Sequence, residues 1–516
     1  MSWQPEIDEL RRREALAREL GGPERVERQH ASGRLTVRER IDRLLDEGSF
    51  HETGAIAGLG EYGDDGELTG FTPANIVIGG GRIDGRRVAV QGDDFTVRGG
   101  AADAAIWQKM VFAERLAGEL RIPLVRLVDG TGGGGSVKML EQMGFTYVPQ
   151  VPGWELAVEN LSRVPVVAAA LGPCAGLGAA RVVASHFSVI VRGSAQLFVA
   201  GPPVVAMAGM GETPDKEELG GARMQTAAGA VDNEAADEDD ALDQLRRFLS
   251  YLPASVWEAP PCVAGADPPD RREEELLSIV PREERQPYDM RRILELVFDR
   301  GSIFELGRRF GRPLITALAR LDGRPVGVLA SDPKAYGGGL NADASDKLTR
   351  FVDLCDQFRL PVSNLVDQPG FVVGTEAERA GTIRRGARAL FALYQSTVPR
   401  AAVLVRKVYG VAGAGMGTAP FRWAWPSGDW GSLPIEGGLE AAYRRELDAA
   451  EDRAALRAEI QARLDAVRSP FRTAERFSVE EIVDPRDTRP LLCDWAARAS
   501  EVAAQRLGRK ARGPRP

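Results

Sequence analysis

The segment DEGSFHETG, Asp46–Gly54, returns as DRGSIFELG, Asp299–Gly307, 253 positions later. Working outward, GRIDGRRVAV (Gly81–Val90) returns as ARLDGRPVGV (Ala319–Val328) and RIPLVRLVD (Arg121–Asp129) as RLPVSNLVD (Arg359–Asp367), both at an offset of 238. VPVVAAALGPCAG (Val164–Gly176) lines up with VPRAAVLVRKVYG (Val398–Gly410) at 234. Each match alone is weak, but four in the same order with a slowly drifting offset mark two copies of one domain. The Pro-rich, aperiodic stretch Glu258–Glu275 reads as the join, which gives lobes over residues 1–262 and 268–505 and a basic tail over 506–516.

Inside each copy, short β-branched runs such as RRVAVQG, PLVRLVD, PVVAAALG and FSVIVRG are bounded by Gly and too short for helices, so they read as buried strands. Helical windows alternate with them, at Ala105–Leu120 and Ser345–Phe358. The alternation predicts an α/β fold with layered helices and strands. Met1–Glu47 and Gly438–Val467 are rich in Arg, Glu, Ala and Leu and read as surface helices, whose apolar stripes suit a partner subunit as well as their own lobe.

The 516 residues carry a formal charge of −8, with 44% hydrophobic and 27% charged residues, the profile of a globular protein. Mild acidity argues against a general nucleic-acid binder, and the basic tail from Arg506 reads as a solvated end. Cys174, Cys262, Cys355 and Cys493 lie far apart without a CxxC pair, so neither a zinc site nor a disulfide framework is expected. No signal-like or membrane-spanning run is visible, which predicts a cytoplasmic protein.

Glycine is the outlier, with 58 residues against a usual share of about 7%. The glycines gather at strand ends: Gly99-Gly100, Gly132–Gly135, Gly172–Gly178 and Gly410–Gly417. No GxxxxGK[ST] string follows these strands, and GAGMGT lacks the setting of a dinucleotide fingerprint. An oxyanion hole, built from backbone N–H groups at a Gly-rich turn, suits a chain with only His30, His51 and His186 and no GxSxG elbow. His186 reads as a structural histidine, and His30 and His51 as surface groups. Backbone-driven chemistry is favoured over a triad.

The strings FTVRGGA (Phe95–Ala101), GPCAG (Gly172–Gly176), EELGGA (Glu217–Ala222), LSYLP (Leu249–Pro253), PYDM (Pro287–Met290), VDQPGF (Val366–Phe371), IRRGA (Ile383–Ala387), RKVYG (Arg406–Gly410) and VDPRDTR (Val483–Arg489) resemble the carboxyltransferase β subunits of biotin-dependent acyl-CoA carboxylases. The propionyl-CoA carboxylase and methylmalonyl-CoA transcarboxylase branch is the most similar, over nearly the whole chain. The resemblance implies two crotonase-like lobes of β-β-α superhelix, related by duplication, with the acyl-CoA side in the first and the biotin side in the second. It implies a reaction in which carboxybiotin on a carrier domain gives its CO2 to the enolate of an acyl-CoA, the freed ureido oxyanion helping to remove the α-proton. By the same resemblance, the turn at Gly176 and Leu177 offers N–H groups to the thioester carbonyl, and that at Val411 and Ala412 holds the ureido oxygen. Phe95, Gly99, Gly100, Ala101, Gly132, Gly133, Ala175, Gly370, Phe371, Lys407, Tyr409, Gly410, Gly413 and Ala414 are expected to line the acyl-CoA and biotin sites. Biotin would come on a separate biotin carboxylase and carrier (α) subunit, the chain would form a homo-oligomer, usually a hexamer with sites shared between subunits, and no metal is expected.

The chain departs from that family in four places. Leu177 stands where a second glycine is common, and GTGGGGSVK follows Asp129 where SGGAR is usual. Gly413 and Ala414 replace bulkier or acidic residues near the acyl pocket, and WPSGDWGSLPIEGG (Trp425–Gly438) replaces WP-x-A-x-x-x-VMG, so a roomier pocket is expected. Lys138 in SVKML lacks a carrier-domain setting and reads as a surface lysine. Two alternatives stay open: a decarboxylase or transcarboxylase running the reverse half-reaction from a malonyl-type CoA, and a non-catalytic ring scaffold.

Overall fold

The computed structural model describes residues 2–100, 106–130, 140–141, 143–148, 150–208, 211, 213–264 and 267–510. The chain divides into two compact units, residues 1–258 with 508–516, and residues 259–507. In the first unit the strands are β1 (His51–Glu52), β2 (Gly58–Tyr62), β3 (Leu68–Pro73), β4 (Ile76–Ile83), β5 (Arg86–Asp93), β6 (Leu124–Val128), β7 (Val166–Ala170), β8 (Pro173–Ala175), β9 (Phe187–Val191), β10 (Gln196–Phe198) and β11 (Asn233–Ala235). The second unit contributes β12 (Phe304–Leu306), β13 (Leu314–Leu321), β14 (Arg324–Ser331), β15 (Val362–Gln368), β16 (Arg400–Tyr409), β17 (Phe421–Ala424), β18 (Asp429–Gly431) and β19 (Glu481–Ile482).

The two main sheets run β1-β4-β5-β6-β7-β9-β11 and β12-β13-β14-β15-β16-β17-β19, so strand for strand they have one order. In each, the first three strands are antiparallel and the rest parallel. Register follows the sequence offsets as well. His51 faces Gly80 as Phe304 faces Leu318, Ala89 faces Leu124 as Gly327 faces Val362, and Val167 faces Phe187 as Ala401 faces Phe421. β6, β7 and β9 are buried along their whole length and almost wholly apolar, the exceptions being Arg126, paired with Glu114 at 2.6 Å, and Ser188, bonded to Asp232. Two short parallel pairings complete the likeness: β10 lies beside β8, and β18 beside the last three residues of β16.

The repeated DxGS stretch is a clamp on a hairpin turn. The Asp46 carboxylate accepts from the N–H groups of Asp84 (2.9 Å) and Gly85 (2.8 Å), and Asp299 does the same for Asp322 (3.0 Å) and Gly323 (2.8 Å). Ser49 and Ser302 each accept from the strand beside it, through the N–H of Arg82 and Arg320. Both turns pass through a left-handed Asp-Gly pair, φ 50° and 78° in one and 49° and 75° in the other, the geometry that suits a right-twisted two-residue hairpin.

The N-terminal segment forms helices Gln4–Arg18, Pro23–Ala31 and Val37–Leu44, the last opened by a Thr36/Glu39 capping box. Helices Ile435–Ala442, Arg444–Ala449 and Arg453–Asp465 close on their own small core of Leu439, Leu447 and Ile460. Among the described residues no helix is long and apolar enough to cross a membrane. The tail, expected as a solvated end, is partly tied down: the Gly508 N–H donates to the Val256 carbonyl oxygen at 2.7 Å, and Arg509 lies 3.6 Å from Glu159.

The two clamps differ in burial. Asp299 also meets Arg489, itself buried, at 2.9 Å. Replacing Asp46 by Ala should lower folding stability by about 1–3 kcal/mol, the cost of unsatisfied turn donors. Asp299→Ala should cost about 3–5 kcal/mol because it also strands a buried guanidinium. Chemical denaturation midpoints measure both, and equal losses would contradict this account.

Candidate functional site

Two strand-to-helix turns, 234 positions apart, share one backbone. Gly176 follows β8 with φ 55°, and Gly410 follows β16 with φ 59°, values a side chain disfavours. Helix Leu177–Val183 starts after the first and helix Gly410–Gly417 at the second, with no side-chain cap on either. Among the described residues, the N–H groups of Leu177, Gly178 and Ala179 have no acceptor, and neither do those of Val411 and Ala412. Unpaired first-turn donors at the positive end of a helix dipole suit an anion. Gly176 differs from the expectation: its N–H already donates to the Phe198 carbonyl oxygen at 3.2 Å, so Leu177 and its successors are the unpaired donors.

A second pair of turns lies just past β5 and β14. Arg98–Gly100 and Tyr336–Gly338 form single 3₁₀ turns, with Gly99 and Gly100 at φ 63° and 70°, and Gly337 and Gly338 at 62° and 88°. A Cβ on Gly100 would lie 2.8 Å from the Asp129 carbonyl oxygen, and one on Gly338 would lie 2.6 Å from that of Asp367. Phe95 holds its turn from below, with the Arg34 guanidinium 4.4 Å from its ring centre. Ala101, Gly132, Gly133 and Lys138 lie outside the described residues.

The aspartates that end the repeated LVD strings are fully buried, and sequence reasoning gave them no role. Asp129 pairs with Arg40 at 2.8 Å and Arg34 at 3.0 Å, and Arg40 reaches on to Glu238 at 2.7 Å. Asp367 accepts from Arg406 and the Tyr288 hydroxyl, both at 3.0 Å, and from the Lys407 N–H at 3.0 Å. PYDM, VDQPGF and RKVYG, distant in sequence, thus meet at one carboxylate. Burial, with Asp367 beside it, holds the Tyr288 hydroxyl well above its ordinary range, so it stays a donor. The signal was in the sequence, a repeated Asp closing an apolar run, but its partners are scattered.

The remaining expected residues fall around these anchors. Ala175 pairs with Phe198 across β8 and β10. Gly370, at φ 117°, donates its N–H to Gln368 Oε1, and a Cβ on it would be 3.8 Å from the Tyr409 carbonyl oxygen. Phe371 packs its ring on Gly386. The Tyr409 hydroxyl donates to Asp429 at 2.6 Å, and burial with that carboxylate raises it above the ordinary phenol range. Ala414 is exposed, whereas Gly413 turns its missing side chain onto Val408, 2.8 Å from the backbone carbon. Gly413 therefore does not enlarge a pocket wall: it lets the helix lie against β16.

The histidines stay away from the turns' donors. His186 accepts from the Val166 N–H at Nδ1 (2.9 Å) and meets the Leu161 carbonyl oxygen at Nε2 (3.1 Å), and His30 pairs with Glu39. Cys174, fully buried beside GPCAG, has its thiol pushed up by burial and stays protonated. Arg406→Met would leave Asp367 buried without its cation, and stability should fall by about 3–5 kcal/mol. A calorimetric midpoint that did not move would show that Tyr288 and the Lys407 N–H suffice.

The sequence profile of the family described as carboxyl transferase domain matches residues 28–512. The carboxyltransferase subunit of propionyl-CoA carboxylase from Haloferax mediterranei is 36% identical over 495 residues, 95% of either chain. Methylmalonyl-CoA decarboxylase subunit alpha from Veillonella parvula is 33% identical over 516 residues, 98% of either chain. The transcarboxylase 12S crystal structure, a hexamer seen with methylmalonyl-coenzyme A, superposes with a TM-score of 0.87 at 32% identity, covering 99% of this chain and 98% of that one. With matching turns, duplicated sheets and relatives aligned end to end, the chain belongs to the carboxyl transferase domain family: it is a carboxyltransferase of crotonase-like fold.

Proposed function

We propose that the chain moves a carboxyl group from carboxybiotin, carried on a partner subunit, to the α-carbon of an acyl-CoA. The observation behind this reading is the pair of equivalent turns, with three N–H groups at the first and two at the second lacking an acceptor among the described residues. Leu177 N–H and its neighbours would hold the thioester oxygen as it gains charge, so that an enolate forms without a side-chain base. Val411 and Ala412 would receive the ureido oxygen of biotin, and their donors fit one such acceptor. When bound, carboxybiotin supplies the CO2, and its freed ureido oxygen takes the α-proton. The chain's part is to bind, orient and stabilise charge. The partner would be a biotin carboxylase and carrier subunit. The assembly would be a hexamer like that of the transcarboxylase relative, pairing the first lobe of one subunit with the second of another, in the cytoplasm.

The kinship with a methylmalonyl-CoA decarboxylase subunit supports a second direction, carboxyl transfer from a malonyl-type CoA to biotin. The same donors serve either way. The test is to purify the chain with its biotin-carrying partner and follow ATP-dependent bicarbonate fixation, and its reverse, across acyl-CoAs of graded length. Fixation or exchange with at least one acyl-CoA is expected, and failure with all would overturn the proposal.

Two substitutions probe the residues. Leu177 is the first residue of its helix and Val411 the second, first-turn positions where proline removes only an N–H without an intrahelical partner, so Leu177→Pro and Val411→Pro should each lower kcat by about 10²–10³-fold with helix content unchanged. Ala414 is exposed on the same helix face as Val411, three positions on. Ala414→Asp or Ala414→Ile should therefore narrow acceptance to short acyl chains. An unchanged chain-length profile would remove Ala414 from the pocket.

A further inference from the structure

We infer that Asp429, gripped by Arg468, is a positioning residue for the Val411–Ala412 turn, acting through Tyr409. The inference rests on that turn being the biotin-side site. Asp429 lies in WPSGDWGSLPIEGG, a segment with no role so far. The segment supplies β18, which pairs with the three residues of β16 just before the turn: Lys407 with Asp429, Val408 with Trp430, Tyr409 with Gly431.

In the first unit the matching strand, β10, steadies its turn through the main chain, the Phe198 carbonyl oxygen accepting from Gly176 N–H. Among the described residues no such bond reaches Gly410. Side chains take its place. Tyr409, buried, donates to Asp429 Oδ2 at 2.6 Å. Arg468 grips the same carboxylate in bidentate fashion, its Nε 2.9 Å from Oδ1, and is itself held by Glu284 at 2.9 Å. Tyr409 is joined directly to Gly410, so the ring's anchor sets the direction in which the next N–H groups leave the strand. Trp430 secures the strand separately, donating from Nε1 to Thr473 Oγ1 at 2.9 Å.

The experiment uses the full chain, with free biotin as acceptor and methylmalonyl-CoA as donor, and separates kcat from the KM of each substrate. Tyr409→Phe and Asp429→Ala should each reduce kcat about 10–100-fold, with the KM for methylmalonyl-CoA within twofold. The double variant should lose no more than the worse single one, since the two act as a unit. Arg468→Lys should recover part of what Arg468→Ala loses. Thr473→Val, which frees Trp430 but leaves the Tyr409 anchor, should lower the melting temperature and leave kcat unchanged. Additive losses in the double variant, an unaffected Asp429→Ala, or a kcat loss in Thr473→Val equal to that of Asp429→Ala would overturn the inference. A wild-type chain inactive with its own partner and every acyl-CoA would instead count against the proposed function.

Discussion

A carboxylate buried to zero exposure needs a cation beside it, and each lobe carries one at the end of its first parallel strand. The lobes satisfy this demand in different ways. Asp129 draws Arg34 and Arg40 from the N-terminal segment, and the strand beside it must make room: a Cβ on Gly172 would lie 2.0 Å from Asp129 Oδ1 and 2.5 Å from an Arg34 nitrogen. Asp367 takes its cation from the neighbouring strand, at Arg406, the position that corresponds to Gly172 under the 234 offset. Glycine in one lobe and arginine in the other are two solutions to one charge. This interaction fixes where the strands end, and so where the turns after them begin.

The turns inherit that placement. β7 breaks at Leu171-Gly172 before β8 carries the chain to Gly176, whereas β16 runs unbroken from Arg400 to Tyr409. Both routes arrive at a left-handed glycine and an uncapped helix. An uncapped start is usually a defect costing about 1 kcal/mol. Here it recurs at the same place in both copies, which is how a site whose chemistry lies in main-chain donors would be kept. Catalysis by N–H groups, as proposed, would also account for a chain with three histidines, His30 and His186 being engaged elsewhere.

What could be read from sequence followed from local demands on the chain. Buried parallel strands must be mostly apolar, so RRVAVQG, PLVRLVD, PVVAAALG and FSVIVRG stood out, and turns that need positive φ displayed their glycines. Pairings across large separations left no such trace. Arg40 meets Asp129 from 89 positions away and Glu238 from 198, and nothing in VRERIDRL singles out that arginine from its neighbours. β18 was equally hidden, because Asp429–Gly431 is three residues long, follows Gly428, itself ends in a glycine and shows no strand period. Gly176 misled in a subtler way. A glycine turn announces a backbone geometry, but whether its own N–H is free depends on a strand later in the chain, at Phe198.

Main-chain donors place a particular constraint on divergence. A side-chain catalyst is lost by one substitution, but an N–H survives almost any residue except proline. Selection on such a site therefore acts on whatever holds the backbone in place and on whatever stands at its rim. The buried Asp129 and Asp367 clusters and the packing of Gly413 on Val408 belong to the first kind, and exposed Ala414 to the second. Residues of the first kind must match their partners, as Gly172 leaves room for the Asp129–Arg34 pair and Arg406 supplies the cation of Asp367. Those of the second change singly, and it is there that carboxyltransferases with one shared backbone would come to differ in the acyl groups they accept.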